Sequence, residues 1–292
     1  MNLSSLLDQF LIFQEVKGNS KETISYYRKR ISYFIDFCNN KNINLVSIND
    51  YNNYTISLKK RNLSSYTIKT SLNAVKIFLK YAYTFQYISI DISKNIKPYK
   101  TDKKTIVVLN DYQINEILDS YKIDTFYGAR NLLAISLMLD AGLRVSEVSN
   151  LNIEDINLGL NLIKVFGKGH KERLVPLTNS ILYYFNSYMR FIEKNSGALF
   201  FDYYTNLRIA PGGIAEIIFR LKKKLNYKKL HPHYLRHTFA TLFLVNGGDP
   251  VHLQTILGHE TLFMTEHYLH IANQMTMQKQ SRFSPLTNLK KP

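Results

Sequence analysis

The sequence predicts a mainly helical protein of the α+β class, with two domains and one small β-hairpin in the second. The chain has 292 residues, long for a single core, and 45% of them are hydrophobic. Apolar residues recur at three- and four-residue steps through most of its length, which indicates amphipathic helices. One pair of short apolar segments around a glycine-rich turn indicates the hairpin.

Four amphipathic helices are predicted in the first hundred residues. The first has apolar positions from Leu3 to Phe13, and the second follows Ser20, a residue type that caps helix N-termini well. The third begins at Ile48, and the fourth follows Ser64. Their apolar sides can pack together, so this region is predicted to be a helical domain of its own.

The domain boundary is predicted within a few residues of position 100. Residues 96–105 contain Pro98, carry many charges and show no apolar period, which is typical of a linker. We therefore assign residues 1–95 to the first domain and residues 106–292 to the second.

The charge of the chain favours a polyanionic partner. Lys and Arg number 38 against 22 Asp and Glu, a net charge of +16, and residues 1–100 alone carry 15 against 6. The charge favours nucleic acid over an anionic membrane as this partner. The alternative is a solvated helical bundle in a protein that is basic for other reasons. The candidate DNA-binding residues lie on the outer faces of the predicted second and fourth helices: Arg28, Lys29, Arg30, Lys69, Lys76 and Lys80.

Several classes of protein are excluded by what the sequence lacks. The single cysteine, Cys38, excludes an internal disulfide framework and a multi-cysteine zinc site. No apolar run approaches the roughly 20 residues that span a bilayer, and no signal-peptide pattern opens the chain. We expect a cytoplasmic protein without membrane contact.

An arginine near the middle of the chain is a candidate anion ligand. The apolar segment 129–139 predicts a core helix, which Gly142 can end. Arg144 then begins the next helix, where Glu147 could orient it or cap the helix. Taken alone, such an arginine is more often a partner in a surface salt bridge.

The predicted hairpin presents a lysine at its turn. Its strands are 162–166 and 173–177, and Lys168 lies between two glycines. A lysine there could reach into a site as a proton donor, although lysines at hairpin tips are usually solvated.

Histidines near the C-terminus admit two interpretations. His233 and Arg236 lie one helical step apart and could contact one phosphate. His233 and His237 have the spacing of a metal pair, but Tyr234 stands where zinc-binding helices of this kind have glutamate. Since no neighbouring acidic or cysteine cluster completes a ligand set, we predict no metal and no cofactor.

Five stretches, in order and spacing, resemble the tyrosine recombinase (phage integrase) family, especially its compact Xer-like and transposon-type members. From Arg144 to Lys168, Arg236 to His259 and His259 to Tyr268 the steps are 24, 23 and 9 residues. A helical core-binding domain before a mixed α/β catalytic domain is the family layout, so the resemblance spans the chain. The stretches are Ala141–Glu147, Gly167–Arg173, His233–Thr241, Leu257–His259 and Thr265–Tyr268.

The resemblance implies a site-specific DNA recombinase that cuts DNA with Tyr268. This tyrosine would attack the scissile phosphate, forming a 3′-phosphotyrosyl link and releasing a 5′-hydroxyl. Arg144 and Arg236 would hold the non-bridging oxygens, with Glu147 in support. Position alone distinguishes Tyr268 among the 21 tyrosines of the chain.

The same resemblance implies proton-transfer and hydrogen-bonding roles for three other residues. Lys168 would protonate the leaving 5′-oxygen, and His233 would assist proton transfer at the tyrosine. His259 would donate a hydrogen bond to the phosphate. The covalent link conserves the phosphodiester energy, so religation would need neither ATP nor metal.

The assembly implied by the resemblance is a tetramer on a double-stranded site with inverted repeats, formed from monomers in solution. A C-terminal tail of about residues 274–292 would pack into a neighbouring protomer. A second recombinase or accessory proteins could take part. The task would be integration or excision of a mobile element, or Xer-type dimer resolution.

Two other functions remain open on the sequence. A type IB topoisomerase-like enzyme would use the same chemistry without joining two sites. A DNA-binding protein could keep the fold without catalysis, although none of the six catalytic residue types is missing. The interval lengths and the compact helical first domain favour the recombinase.

Overall fold

The computed structural model describes residues 1–101, 107–167 and 171–277. The chain divides into two compact units, Met1–Thr105 and Ile106–Pro292, each with its own hydrophobic core. Most of the described residues are helical, and a small antiparallel sheet lies in the second unit. The predicted fold class is confirmed.

Four α-helices form the first unit, and serine caps start two of them. Ser20 accepts a hydrogen bond from the Thr23 amide at 3.3 Å, and Ser64 accepts one from the Thr67 amide at 3.1 Å. The four predicted helices are confirmed, with these bounds: α1 Leu3–Val16, α2 Lys21–Phe37, α3 Ile48–Lys60 and α4 Ser65–Thr84.

Aromatic rings fill the centre of the first unit. Phe10, Phe34 and Phe78 are fully buried, and the Phe10 and Phe78 rings meet edge to face with centroids 5.6 Å apart. Cys38 lies buried at the same core, and burial raises the pKa of its thiol to about 11. This thiol is therefore protonated and inert at neutral pH.

The first residue of the segment assigned to the linker, Ile96, belongs to the core of the first unit. Ile88, Ile92 and Ile96 are all buried there, and a 3₁₀ turn spans Ile92–Asn95. The Lys76 ammonium donates to the Ile96 carbonyl at 2.9 Å. The spacing of four residues between Ile88, Ile92 and Ile96 could have predicted that the core extends to Ile96.

Eight α-helices occur among the described residues of the second unit, and α6 is the central one. It is buried on nearly all sides, as its sequence predicts, and packs against α8 and α10. The sequence did not indicate α9, whose first turn contains two glycines. The helices are α5 Asp111–Leu118, α6 Phe126–Leu139, α7 Val145–Asn150, α8 Asn179–Met189, α9 Pro211–Lys224, α10 Pro232–Val245, α11 Pro250–Leu257 and α12 Phe263–Met277.

A three-stranded antiparallel sheet interrupts the helices between α7 and α8. Its strands are β1 Ile156–Asn157, β2 Leu162–Phe166 and β3 Glu172–Pro176, in that spatial order. In β2 and β3, Leu162 pairs with Pro176 and Phe166 with Glu172. The two predicted strands are therefore present, with β3 starting one residue early, whereas the sequence did not indicate β1.

Candidate active site

Four segments of the second unit bring the predicted catalytic residues together. They are the start of α7, one face of α10, the second residue after α11 and the middle of α12. Of the six predicted residues, the structure describes five, because Lys168 lies outside the described residues. The five are Arg144, His233, Arg236, His259 and Tyr268.

Arg144 is fixed at the N-terminus of α7 by Glu147. The Glu147 carboxylate accepts hydrogen bonds from the Arg144 amide at 2.7 Å and from Arg144 Nη1 at 2.8 Å. Glu147 thus caps the helix and orients the guanidinium, as the sequence suggested. Gly142 precedes them with φ 65°, and a Cβ there would lie 2.4 Å from the Phe239 ring.

Glu147 is a buried carboxylate that three arginines approach. Arg173 donates to it through Nη1 at 2.9 Å and Nη2 at 2.8 Å, and Arg236 Nη1 lies 3.9 Å away. Burial alone would raise the pKa of Glu147, but hydrogen bonds and charge from Arg173, followed by those from Arg144, hold it below its ordinary value. The carboxylate therefore stays ionised and orders the cations around it.

Arg236 is 3% exposed and projects from α10 into the site. It donates through Nη1 to the Gly142 carbonyl and through Nη2 to the Leu257 carbonyl at 2.8 Å. Burial, and then repulsion by Arg144, lowers its pKa to about 10. The guanidinium remains charged at neutral pH. Arg144 and Arg236 can therefore bind an anion together.

His259 follows the left-handed Gly258 that ends α11, at φ 62°. Its Nε2 lies 3.3 Å from Arg236 Nη2, and its Nδ1 lies 3.0 Å from Thr265 Oγ1. A guanidinium only donates, so Nε2 accepts and Nδ1 carries the proton that it donates to Thr265. Burial, and then the charge of Arg236, lowers the pKa of His259 to about 4, which makes the ring neutral.

Tyr268 lies on α12 and is 5% exposed. Its ring packs in a small apolar cluster with Ala240, Leu257 and Ala272. The hydroxyl lies 2.6 Å from Nδ1 of His237. Burial raises the pKa of Tyr268, while the charges of Arg236 and Arg144 oppose that rise. The phenol is therefore protonated before a substrate binds.

His233 keeps an exposed face in the first turn of α10. Partial desolvation, and then the charges of Arg236 and Arg144, lowers its pKa, so the ring is neutral at pH 7. Its ring centroid lies 6.3 Å from that of His237. His237, to which the sequence assigned no role, contacts the tyrosine hydroxyl.

Arg173 is a second residue of the site without a role from the sequence. Besides its two bonds to Glu147, it donates through Nε to the Ile256 carbonyl at 2.6 Å and so joins β3 to the end of α11. Strand periodicity could have found it, because Arg173 and the buried Val175 share one face of β3. An arginine on the core face of a strand needs a buried carboxylate nearby.

The six candidate DNA-binding residues of the first unit differ in their surroundings. Lys29 and Lys69 are exposed, as is Arg28, which lies 3.9 Å from Asp8. The other three donate hydrogen bonds within the chain: Arg30 to Ser71 Oγ at 3.1 Å, Lys76 to the Ile96 carbonyl at 2.9 Å and Lys80 to Asp91 Oδ2 at 2.7 Å. Three of the six candidate residues therefore already make hydrogen bonds within the chain.

Neither a metal-binding cluster nor a membrane-spanning helix occurs among the described residues. Across 1–101, 107–167 and 171–277, no three His, Cys, Asp or Glu side chains come close enough to hold a metal ion. Within the same ranges, no helix has the length and apolar character needed to cross a membrane.

Two family models match the chain. The model of the phage integrase family matches residues 107–275, and that of the SAM-like N-terminal domain of phage integrases matches residues 6–87. The tyrosine recombinase XerD of Staphylococcus epidermidis is 28% identical over 298 residues, covering 97% of this chain and 99% of that protein. XerD of Staphylococcus aureus is 28% identical over 293 residues, with the same coverage.

Solved structures with the same fold include two recombination proteins. The Tn1549 transposon integrase in complex with circular intermediate DNA has a TM-score of 0.75 at 22% identity, covering 92% of this chain and 95% of that one. The XerH site-specific recombinase bound to palindromic difH substrate has a TM-score of 0.75 at 22% identity, covering 95% and 84%. Because the phage integrase model matches more than half of the chain, the resemblance is confirmed: the chain belongs to the phage integrase family of tyrosine recombinases.

Proposed function

We propose that this protein is a site-specific DNA recombinase whose nucleophile is Tyr268. Its hydroxyl attacks the scissile phosphate, a 3′-phosphotyrosyl link forms and a 5′-hydroxyl leaves. A 5′-hydroxyl from another strand then attacks the link and frees the tyrosine. The observation that carries the proposal is that Tyr268, Arg144 and Arg236 approach one another within a single chain.

The two arginines bind the non-bridging oxygens of the phosphate in this proposal. Glu147 supports that role, because it holds the Arg144 guanidinium at 2.8 Å and the carbonyls of Gly142 and Leu257 hold Arg236. Fixed cations need no rearrangement as charge grows on the phosphoryl oxygens, which is the basis of electrostatic catalysis.

His259 donates to the phosphate through Nε2 in this proposal. In the protein without DNA, Nε2 accepts from Arg236 at 3.3 Å. Binding must therefore place a proton on Nε2, either by exchange of the ring tautomer or by uptake of a proton. The negative phosphate favours this change, because it offsets the arginine charges that lower the pKa of His259.

Lys168 is proposed to protonate the leaving 5′-oxygen, and His233 to assist proton transfer at the tyrosine. Both assignments rest on the match to the family pattern. Gly167, which precedes the lysine, is the last described residue after β2. The energy of the broken phosphodiester is kept in the phosphotyrosyl link, so the reaction needs no ATP and no metal.

The first unit is proposed to hold the DNA near the site. Arg28, Lys29, Lys69 and Lys80 are the candidate residues whose side chains are exposed, although the Lys80 ammonium already donates to Asp91 at 2.7 Å. Contacts of this kind neutralise backbone phosphates and do not read sequence.

Assembly is proposed to follow the pattern of the family. Monomers would form a tetramer on a double-stranded site with inverted repeats, with or without a second recombinase or accessory proteins. Each chain supplies its own tyrosine, which the packing of α12 against α10 supports. The tail of about residues 274–292, which lies largely outside the described residues, would pack into a neighbouring protomer.

The biological task is proposed to be integration or excision of a mobile element, or dimer resolution, in the cytoplasm where the DNA is. The names of the similar proteins support this range, because they include both XerD and a transposon integrase.

Covalent capture tests the chemistry and identifies the DNA site in the same experiment. A library of nicked duplexes with random sequence is incubated with the protein, and DNA that stays on the protein after denaturation is sequenced. Wild-type protein is expected to select one site, and Tyr268→Phe is expected to retain no DNA. The matched control is Tyr234→Phe, which should behave like wild type. A Tyr268→Phe variant that still captures DNA would refute the proposal.

The selected site also separates recombination from topoisomerase activity. Two duplexes carrying the site should exchange strands in the presence of the protein. Relaxation of a supercoiled plasmid without any exchange product would instead support a type IB topoisomerase-like enzyme.

A further inference from the structure

We propose that His237 takes the proton from the Tyr268 hydroxyl during cleavage and returns it during religation. The inference rests on the proposed function and replaces His233 by His237 in one step of it. The pattern of the family assigned this step to His233. The observation that favours His237 for this step is the 2.6 Å distance between His237 Nδ1 and the Tyr268 oxygen.

The geometry meets the first requirement for a general base. Such a base must lie within about 2.6–3.2 Å of the atom that it deprotonates. His237 and Tyr268 face each other across the contact between α10 and α12, with ring centroids 5.5 Å apart. Since Tyr268 packs against Ala240 and Ala272, the hydrogen bond is formed before DNA arrives.

The proton balance of the step is complete. As the phenol oxygen bonds to phosphorus, its proton moves to Nδ1 of His237, which becomes an imidazolium. The bond from phosphorus to the 5′-oxygen breaks, and a separate donor, proposed to be Lys168, protonates that oxygen. In religation a 5′-hydroxyl attacks phosphorus, and the imidazolium returns its proton to the departing Tyr268 oxygen.

The charges around His237 suit a base that works only when substrate is bound. His233 and Arg236 stand on the same helix, and His259 reaches the site from beyond α11, with Arg144 from α7. Without DNA, the two arginine charges disfavour an additional cation. A bound phosphodiester offsets them, so an imidazolium at His237 becomes less unfavourable at that moment.

His233 is less suited to this step. It lies one turn earlier on α10 and keeps an exposed face, whereas Nδ1 of His237 lies 2.6 Å from the tyrosine oxygen.

The experiment measures single-turnover cleavage of the duplex recovered by covalent capture. One substrate carries the natural phosphodiester, and the other carries sulfur in place of the bridging 5′-oxygen. A thiolate leaves without a proton, so the sulfur substrate bypasses the leaving-group acid and leaves the nucleophile side unchanged. The variants are His237→Ala, His237→Gln and Lys168→Ala, with His252→Ala as the control at an exposed histidine.

Both His237 variants are expected to bind DNA normally and to cleave the natural substrate about 100-fold or more slowly, the usual contribution of a general base. Sulfur should restore Lys168→Ala and should not restore either His237 variant. Glutamine can hold the tyrosine by a hydrogen bond but cannot accept its proton, so it separates proton transfer from positioning. Thermal unfolding of each variant verifies that it is folded.

Three results would overturn the inference. They are wild-type cleavage by His237→Ala, full activity of His237→Gln, and rescue of the His237 variants by sulfur. Failure of the proposed function is a different result, because the wild-type protein would then capture no DNA or Tyr268→Phe would still capture it.

Discussion

Basic residues serve different purposes in the two units of this chain. In the first unit, Lys29 and Lys69 are exposed to solvent. In the second, Arg173 and Arg236 are almost fully buried around the Glu147 carboxylate. Solvent and salt screen the first kind of charge, whereas burial makes the second kind strong, fixed and costly to disturb.

Of the substitutions that test this difference, Glu147→Gln is expected to have the largest effect. Removing the carboxylate charge leaves three arginines close together without compensation, which should lower the free energy of unfolding by about 3–5 kcal/mol. Urea denaturation measures the change. The control is Glu216→Gln, which removes an exposed partner 3.2 Å from Arg220 and should cost less than about 0.5 kcal/mol. Equal losses in the two variants would contradict the account.

A smaller effect is expected from Gly258→Ala. An alanine at φ 62° should cost roughly 1–2 kcal/mol of unfolding free energy. Its Cβ would also lie 3.1 Å from Arg173 Cδ, so Arg173 and the adjoining His259 must shift and DNA cleavage should slow. The control is Gly247→Ala, at φ 92° with open space around its Cβ. The Gly247→Ala variant should lose stability and keep its cleavage activity. Equal losses of cleavage in the two variants would contradict a role for the Arg173 contact.

On α4, the exposed Lys69 and the paired Lys80 should contribute differently to DNA binding. Lys69→Ala should weaken binding to duplex DNA and lower the slope of log affinity against log salt by about one. Lys80→Ala should change that slope less, because its ammonium already donates to Asp91 at 2.7 Å. It should instead destabilise the first unit. Titrations at several salt concentrations measure both slopes, and equal slopes would mean that the Asp91 pair opens on DNA.

The smallest expected effect concerns the protonation of His259 and its contribution to stability. Its pKa of about 4 lies below the ordinary 6.5, so the folded state disfavours its protonation. The resulting stabilisation is complete above pH 6.5 and is lost as the pH falls from there towards 4. Proton NMR of the ring, assigned with His259→Gln, should show a midpoint near 4. A midpoint near the ordinary value would show that the arginines do not act on this histidine.

Sequence patterns predicted the parts of this molecule that depend on local chemistry. Helix caps such as Ser20 and Ser64 and the core helix α6 follow from residues next to one another. The pairing of Arg144 with Glu147 was also foreseeable, since three residues separate them on one helix turn.

Contacts between distant segments were not predictable in the same way. Arg173 meets Glu147 across 26 positions, and His237 meets Tyr268 across 31. Spacing on one helix favoured His233 as the partner of Arg236, but only the packing of α12 on α10 selects which histidine contacts the tyrosine. The internal contacts of Lys76 and Lys80 were not predictable for a related reason, because sequence does not show which lysines find an acceptor within the chain.

Mixing two inactive variants tests the central claim, that one chain supplies both the arginines and the tyrosine of its site. Arg236→Ala, enlarged by a tag, retains Tyr268, and untagged Tyr268→Phe retains the arginines. The account predicts that the mixture forms no covalent complex with the captured DNA site. DNA joined to the tagged Arg236→Ala chain would show that Tyr268 acts in the site of a neighbour, and would contradict the account.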